Sequence, residues 1–312
     1  MSRLLIISHP DCLIKNNGKN HPERKERVST IINSIKEIKD IDLDFKDAPL
    51  ADMSNISLVH PKKHIDRIFS KIPESGLISI EEEPYADTFL CPNSKNAILR
   101  SCGSGILAAD YIFKNNYNRV FCAVRPPGHH AETKRANGFC FINNVAVTAR
   151  YLQKQYDIKK IAIIDFDVHH GNGTQEIFYK DDTVFYGSIH QSPLFPGTGF
   201  ERERGVGNIF NAPIDPNTDG DNFLNILERK ILCHIDNFEP EIVLISAGFD
   251  AHKRDPLAQI NLESFHFNII TKKIVDLANK YSKGRIISFL EGGYDQIALH
   301  ESIKEHLIAL KQ

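Results

Sequence analysis

A series of short apolar runs, each breaking into polar residues at its C-terminal end, constrains this chain more than any other feature. The runs cover residues 4–8, 119–124, 159–164, 183–190, 241–246 and 285–290, and they are rich in β-branched residues. Runs of that length read as buried strands, since an amphipathic helix needs a longer repeat. Between them, apolar residues recur at helical spacing over 22–38, where Val28, Ile31, Ile32, Ile35 and Ile38 share a face. The same spacing predicts helices over 60–70, 93–115, 143–155, 221–237, 263–281 and from about 296 onward. Residues 39–57 read as a loop with a short strand, and 191–208 as a long loop rich in glycine and proline. Strands alternating with helices predict an α/β architecture, a mostly parallel sheet covered by helices on both faces. No repeat or linker divides the chain, so residues 1–312 are expected to form one domain.

Composition removes several function classes. With 41% hydrophobic and 25% charged residues and a net charge of −2, the chain lacks the basic footprint that grips nucleic acid. Leu4-Leu5-Ile6-Ile7 is far too short to span a membrane, and His9-Pro10-Asp11 interrupts it before it can serve as a signal sequence. Six cysteines without a Cys-x-x-Cys pair suit reduced thiols in a cytoplasmic protein. A homo-oligomer is left open.

In open α/β sheets, binding sites gather beyond the C-terminal strand ends. The unusual polar residues of this chain sit there: His129 and His130, Asp167 and His169, Ser188, Asp250 and Asp255, and Tyr294. The densest group is Asp165-Phe166-Asp167-Val168-His169-His170, which runs into a turn expected at Gly171-Asn172-Gly173. In extended backbone Asp167 and His169 share one face, while Phe166 and Val168 take the other. A carboxylate oxygen beside an imidazole nitrogen suits zinc, and Asp255 is the natural third ligand. The plainer alternative is a capping Asp with two hydrogen-bonded loop histidines. After the rigid Arg125-Pro126-Pro127-Gly128, His129 and His130 read as a general base and acid. Tyr294, after two glycines, could donate its hydroxyl to a developing oxyanion, the plainer alternative being an ordinary partly buried tyrosine. The acidic stretch 81–87 is expected to be a solvated loop.

These segments together resemble the zinc-dependent histone deacetylase family, particularly its class II branch and the bacterial deacetylases and acetylpolyamine amidohydrolases. The resemblance rests on Arg125-Pro126-Pro127-Gly128-His129-His130, Gly138-Phe139-Cys140, Asp165 through Thr174, and Phe195-Pro196-Gly197-Thr198-Gly199. Gly248-Phe249-Asp250 with Asp255-Pro256, Glu291-Gly292-Gly293-Tyr294, and His21-Pro22-Glu23-Arg24 complete it. It implies an arginase/deacetylase-like fold with about eight strands and one catalytic zinc on Asp167, His169 and Asp255. It makes His129 and His130 the base/acid pair, with Asp165 behind the first and Asn172 behind the second, and makes Tyr294 the carbonyl-polarising residue. With a neutral Asn172 partner, His130 should be less basic than with a carboxylate. Gly138, Phe139, Phe195 and Leu262 would line a substrate tunnel. Potassium would sit on oxygens of Asp165, Asp167, His169, Ser188 and Ile189. The implied reaction removes an acetyl or other acyl group from a lysine side chain of a protein or peptide. An acetylpolyamine or other acetylated amine is the alternative substrate. A dinuclear manganese hydrolase of the arginase type and an inactive acyl-lysine binding module are remoter alternatives.

Overall fold

The computed structural model describes residues 3–38, 42–81 and 86–312. In chain order the strands are β1 (Leu4–Ser8), β2 (Leu43–Asp47), β3 (Ile78–Ser79), β4 (Phe89–Leu90), β5 (Arg119–Cys122) and β6 (Ile161–Asp165). They continue with β7 (Val184–Gln191), β8 (Ile209–Ile214), β9 (Ile242–Ala247) and β10 (Ile286–Leu290). β3 and β4 form a small antiparallel pair. The other eight make one parallel sheet in the order β2-β1-β5-β10-β9-β6-β7-β8.

The period of two explains why the sheet is covered on both sides. Leu4 and Ile6 enter one apolar core, and Leu5 and Ile7 enter the other. The first core is closed by helices Glu26–Glu37, Gly220–Lys230, Ser264–Tyr281 and Gln296–Leu310. The second is closed by Ser94–Lys114 and Asn144–Tyr156. The long helix lies close because Gly103 has no side chain: a Cβ there would collide with the Pro49 carbonyl.

The topology places the site. The chain passes from β5 to β6 while leaving room between them, and β9 and β10 later fill that gap. Four adjacent central strands, β5, β10, β9 and β6, therefore end side by side. Their C-terminal ends lead into His129/His130, Tyr294, Asp250/Asp255 and Asp167/His169 respectively. This is the crevice that a doubly wound sheet offers a ligand.

Several boundaries differ from expectation. The helix expected from residue 22 starts at Glu26, because Glu23 is drawn into a buried ion cluster instead. The turn expected at 171–173 opens a helix, Asn172–Phe178, with Gly171 at an ordinary negative φ. The helix expected over 221–237 breaks at Ile231 into a single 3₁₀ turn, Leu232–His234, and a short helix, Ile235–Phe238. Ile231, Leu232 and Ile235 all remain buried, so apolar spacing survives a break in helical hydrogen bonding. Strand β8 falls just beyond the expected long loop. It carries Asn211 and Pro213 and closes the sheet's edge, where a proline costs no ladder bond.

One buried histidine makes stability sensitive to acid. His306 has no exposed surface; Nδ1 lies 2.6 Å from Thr271 Oγ1 and Nε2 lies 2.9 Å from Ser288 Oγ. Burial pushes its pKa from 6.5 down to about 3. Between those values the unfolded chain binds a proton that the folded chain refuses, so stability rises with pH across that window. The urea midpoint is expected to fall steadily from about pH 6.5 toward pH 3. His306→Gln should flatten part of that slope, and an unchanged slope in the variant would remove His306 as its source.

Candidate active site

The site begins where β6 ends. Asp165 closes the strand, and the next residues leave the ladder while keeping their alternation. Phe166 and Val168 are buried in the first core, and Asp167 and His169 turn into the crevice. Asp167 Oδ1 accepts the backbone N–H of His169 at 2.9 Å and lies 3.1 Å from its Nδ1. Asp250 Oδ2, beyond β9, lies 3.1 Å from the same nitrogen. One ligand atom from each of Asp167, His169 and Asp250 falls within 4.8 Å of the others.

Asp255 joins this cluster at one remove. Its Oδ2 accepts the backbone N–H of Tyr294 at 2.7 Å, and burial and the Asp250 charge raise its pKa to about 7. The tightest trio thus contains Asp250, to which the sequence motif assigned no role, where Asp255 was expected. Exposure separates the two: Asp255 keeps 6% of its surface open, close to the 8% of His169 and Tyr294, whereas Asp250 has none.

The two histidines are neighbours with opposite electrostatics. Their rings lie 3.9 Å apart. His129 Nδ1 is 3.0 Å from Asp165 Oδ2, which also accepts the Tyr186 hydroxyl at 3.0 Å. Burial opposes a charged His129, but Asp167, Asp165 and Glu291 outweigh it and hold the pKa up at about 10. His130 Nδ1 faces the amide oxygen of Asn172 at 2.9 Å. Burial, followed by the charges of His129 and His169, pushes His130 well below its ordinary pKa. The weak basicity expected from an Asn partner is therefore reinforced by its neighbours.

Carboxylates behind the loop keep it in place. Glu291 Oε2 accepts the backbone N–H of Gly128 at 2.7 Å and of His129 at 3.2 Å. Arg125 is fully buried and grips Glu23 with two nitrogens, at 2.5 and 2.7 Å. Its third nitrogen binds the carbonyls of Cys12 at 2.8 Å and Lys15 at 2.7 Å. Arg27 sits over the Tyr294 ring at 4.9 Å and donates to the carbonyls of Gly293, at 2.7 Å, and Glu291. Burial holds the Tyr294 hydroxyl well above its ordinary pKa, so it stays protonated. Sequence reasoning left Glu23, Arg27, Arg125 and Glu291 without roles. All four lie in or beside motifs, but only the fold shows that chain segments far apart in sequence pair there.

Aromatic residues stand over the crevice. Phe195 packs edge-on to His130 at 5.0 Å, and Phe139 to Tyr294 at 6.1 Å. Gly138 permits this approach: its φ is +52°, and a Cβ would strike the His130 and Phe195 rings. Leu262 is a correction. It was expected at a tunnel entrance, but it has no exposed surface and belongs to the first core. Ser188 pairs with Asp165 across parallel strands, and its hydroxyl lies 2.9 Å from His190 Nδ1. Ile189 is buried beside it in the sheet. Of the acidic stretch, Glu82 and Glu83 lie outside the described residues. Glu81 is half-buried and accepts the N–H groups of Asp87 and Thr88 at 3.2 Å. Thr88 Oγ1 in turn accepts the N–H of Phe139 at 3.0 Å, so this loop braces an aromatic wall instead of being merely solvated.

The residues fit a divalent cation. Asp167 and Asp250 converge with His169 and Asp255 stands at one remove; burial and the repelling Asp167 charge raise the pKa of Asp250, and burial and the Asp250 charge raise that of Asp255. A cation among them would relieve that repulsion, and oxygen and imidazole donors suit zinc.

Residues 21–310 match the family model described as histone deacetylase domain. The chain is 32% identical to a histone deacetylase-like amidohydrolase of Pseudomonas aeruginosa, over 88% of this chain and 72% of that protein. It is 34% identical to type-2 histone deacetylase 2 of Dictyostelium discoideum over 99% of this chain, which spans only 21% of that longer protein. The solved HDA15 HD domain superposes with a TM-score of 0.90 at 28% identity, covering 100% of this chain and 90% of that one.

The Glu23 clamp generates a prediction. Glu23→Ala leaves Arg125 buried without its counter-charge, a change that costs roughly 3–5 kcal/mol of stability. Urea unfolding of the purified variant checks this, and a loss below about 1 kcal/mol, the range of an exposed pair, would show that the clamp does not hold the loop.

Proposed function

The chain belongs to the histone deacetylase family of amide-bond hydrolases, and from that premise we propose that it removes acetyl groups from lysine side chains through a single zinc ion. The observation that carries the proposal is the adjacent histidine pair, one ring backed by Asp165 and the other by Asn172, set against a buried Asp/His cluster and a buried tyrosine. We assign the zinc to Asp167, His169 and Asp255. Asp255 is preferred to Asp250 by family resemblance, and like His169 and Tyr294 it keeps part of its surface open at the crevice.

The ion would supply Lewis-acid polarisation of the acetamide carbonyl and of the attacking water. The protein's own groups do the rest. His130, neutral with Nδ1 toward Asn172, takes the proton of the attacking water at Nε2. His129, whose cationic form burial opposes but the charges of Asp167 and Asp165 favour, stabilises the negative charge that develops beside it. The Tyr294 hydroxyl donates to the carbonyl oxygen as that oxygen gains charge, and Arg27 beneath its ring fixes its position. The proton held by the histidine pair then passes to the departing amine, giving acetate and a free lysine.

Phe139 and Phe195 would wall a narrow passage for the lysine methylenes, with Gly138 leaving room between them. A polyamine would need free carboxylates at the mouth. Glu263 is instead paired with Lys253 at 2.8 Å, and Glu81 is engaged by the loop it braces, which favours the acyl-lysine substrate. Potassium on oxygens of Asp165, Asp167, His169, Ser188 and Ile189 belongs to the same proposal by family resemblance. The six free cysteines fit a reducing compartment such as the cytoplasm. No helix among the described residues is long and apolar enough to cross a membrane.

Purified protein is expected to carry about one equivalent of zinc. Asp255→Ala should abolish that content while leaving the fold intact, and two equivalents of bridged manganese would instead favour an arginase-type site. Tyr294→Phe should keep the metal yet lower kcat on the order of a hundredfold, the usual effect of losing an oxyanion donor. A variant with near-normal kcat would place the hydroxyl outside the reaction. In a substrate panel, kcat/KM for acetyl-lysine peptides should exceed that for acetylated putrescine and spermidine. A preference of about tenfold or more for the polyamines, fading with added salt, would transfer the assignment to a charged small amine.

A further inference from the structure

We propose that Glu132 is a positioning residue for catalysis, selecting the tautomer of His130 by fixing the orientation of the Asn172 side-chain amide. This rests on the amide-hydrolase reading above and adds a residue that the motif chemistry leaves without a function. The problem it solves is specific to an Asn at position 172. A carboxylate behind a histidine can only accept a hydrogen bond, so it enforces an N–H on the nitrogen it faces. Asp165 does this for His129. An amide presents either an acceptor oxygen or a donor NH₂, and the two ends are nearly the same shape. If the NH₂ end faced His130, Nδ1 would become the acceptor and the proton would move to Nε2. The ring would then have no lone pair to offer the attacking water.

Glu132 removes that ambiguity. Asn172 Nδ2 donates to Glu132 Oε1 at 2.7 Å, while Asn172 Oδ1 faces His130 Nδ1 at 2.9 Å. Turning the amide over would set its oxygen against the Glu132 carboxylate at about the same separation, two acceptors with no proton between them. Glu132 therefore holds the NH₂ end, the oxygen end is left for His130, and the ring proton is confined to Nδ1. The carboxylate acts at one remove on the second histidine, as Asp165 acts directly on the first. Glu132 is suited to this by its place. It lies two residues after His130, tied by a backbone bridge to Arg135, and is half-buried at the edge of a cleft lined also by Gln175 and Glu176.

The test separates orientation from charge. In zinc-loaded protein, nitrogen-15 spectra of the histidine rings report which nitrogen of His130 carries the proton, whether or not any substrate is turned over. Wild type and Glu132→Gln, whose amide oxygen still accepts from Asn172, should both show the Nδ1–H form. Glu132→Ala should shift His130 toward the Nε2–H form and lower kcat by about tenfold or more, within the range of general-base losses, with KM and zinc content unchanged. Adding Asn172→Asp to Glu132→Ala should restore both the Nδ1–H form and most of kcat, because an acceptor-only group then faces the ring. That double variant also settles the matter if Glu132→Ala alone folds poorly. An unchanged tautomer in Glu132→Ala, a Gln variant as impaired as Ala, or a double variant without recovery would each overturn the proposal. A tautomer shift in protein that cleaves no acetyl-lysine would leave it standing and would count against the proposed reaction instead.

Discussion

Five carboxylates, those of Asp165, Asp167, Asp250, Asp255 and Glu291, are buried at the end of one sheet, and the surrounding structure depends on how their charge is balanced. An ionised carboxylate without partners is not tolerated in a protein interior. Here the balance comes from charged imidazoles, backbone N–H groups and the proposed cation. Asp167 illustrates it: burial would raise its pKa, but His129 and His169 overcome that and hold it well below the usual range. For Asp250 and Asp255, burial and a neighbouring carboxylate outweigh the His169 ring and the backbone N–H groups that favour ionisation, so both stay raised. Asp167, His169 and Asp250 bring ligand atoms within 4.8 Å of one another and Asp255 feels the Asp250 charge, so a cation among these groups would relieve their repulsion.

That negative cluster also explains how adjacent residues acquire different roles. His129 touches Asp165 and lies within reach of Asp167, so it is drawn into the charged state. His130 has an amide behind it and cationic rings beside it, so it is kept neutral. A base and an electrostatic stabiliser thus arise from two identical side chains, and the difference lies wholly in what stands behind each ring. The loop bearing them is held from outside by Arg125 and Glu23 and from below by Glu291. A buried pair of that kind adds little net stability. It does tie the N-terminal segment to the strand end that presents the catalytic rings.

Elements with strong, uninterrupted patterns were legible in the chain itself. The runs that became β1, β5, β6, β7, β9 and β10 are buried throughout or nearly so, which leaves an unbroken apolar signature. Strand β8 was not legible because polar residues and Pro213 interrupt it, a freedom that an edge position allows. The helix after Gly171 was masked by two glycines that read as a turn. The break at Ile231 was hidden because the burial of Leu232 and Ile235 continues across it. Leu262 was misplaced because its distance along the chain from Asp255 does not report which side of the backbone faces solvent. Glu132 carried no signal at all, being an ordinary half-exposed acid until its partner is known.

The sequence by itself determined the chemistry available and the parallel α/β class. Residue types, the period of two within strands and the placement of polar groups at strand ends are local properties, readable without neighbours. Tertiary structure decided which of those groups meet. Strand order set β9 and β10 between β5 and β6, bringing His129, Tyr294, Asp250 and Asp167 to one point from positions far apart in the chain. It also decided their protonation, since a pKa depends on burial and on charges supplied by other segments. No local pattern encodes either quantity, because both are sums over contacts that exist only once the chain has folded.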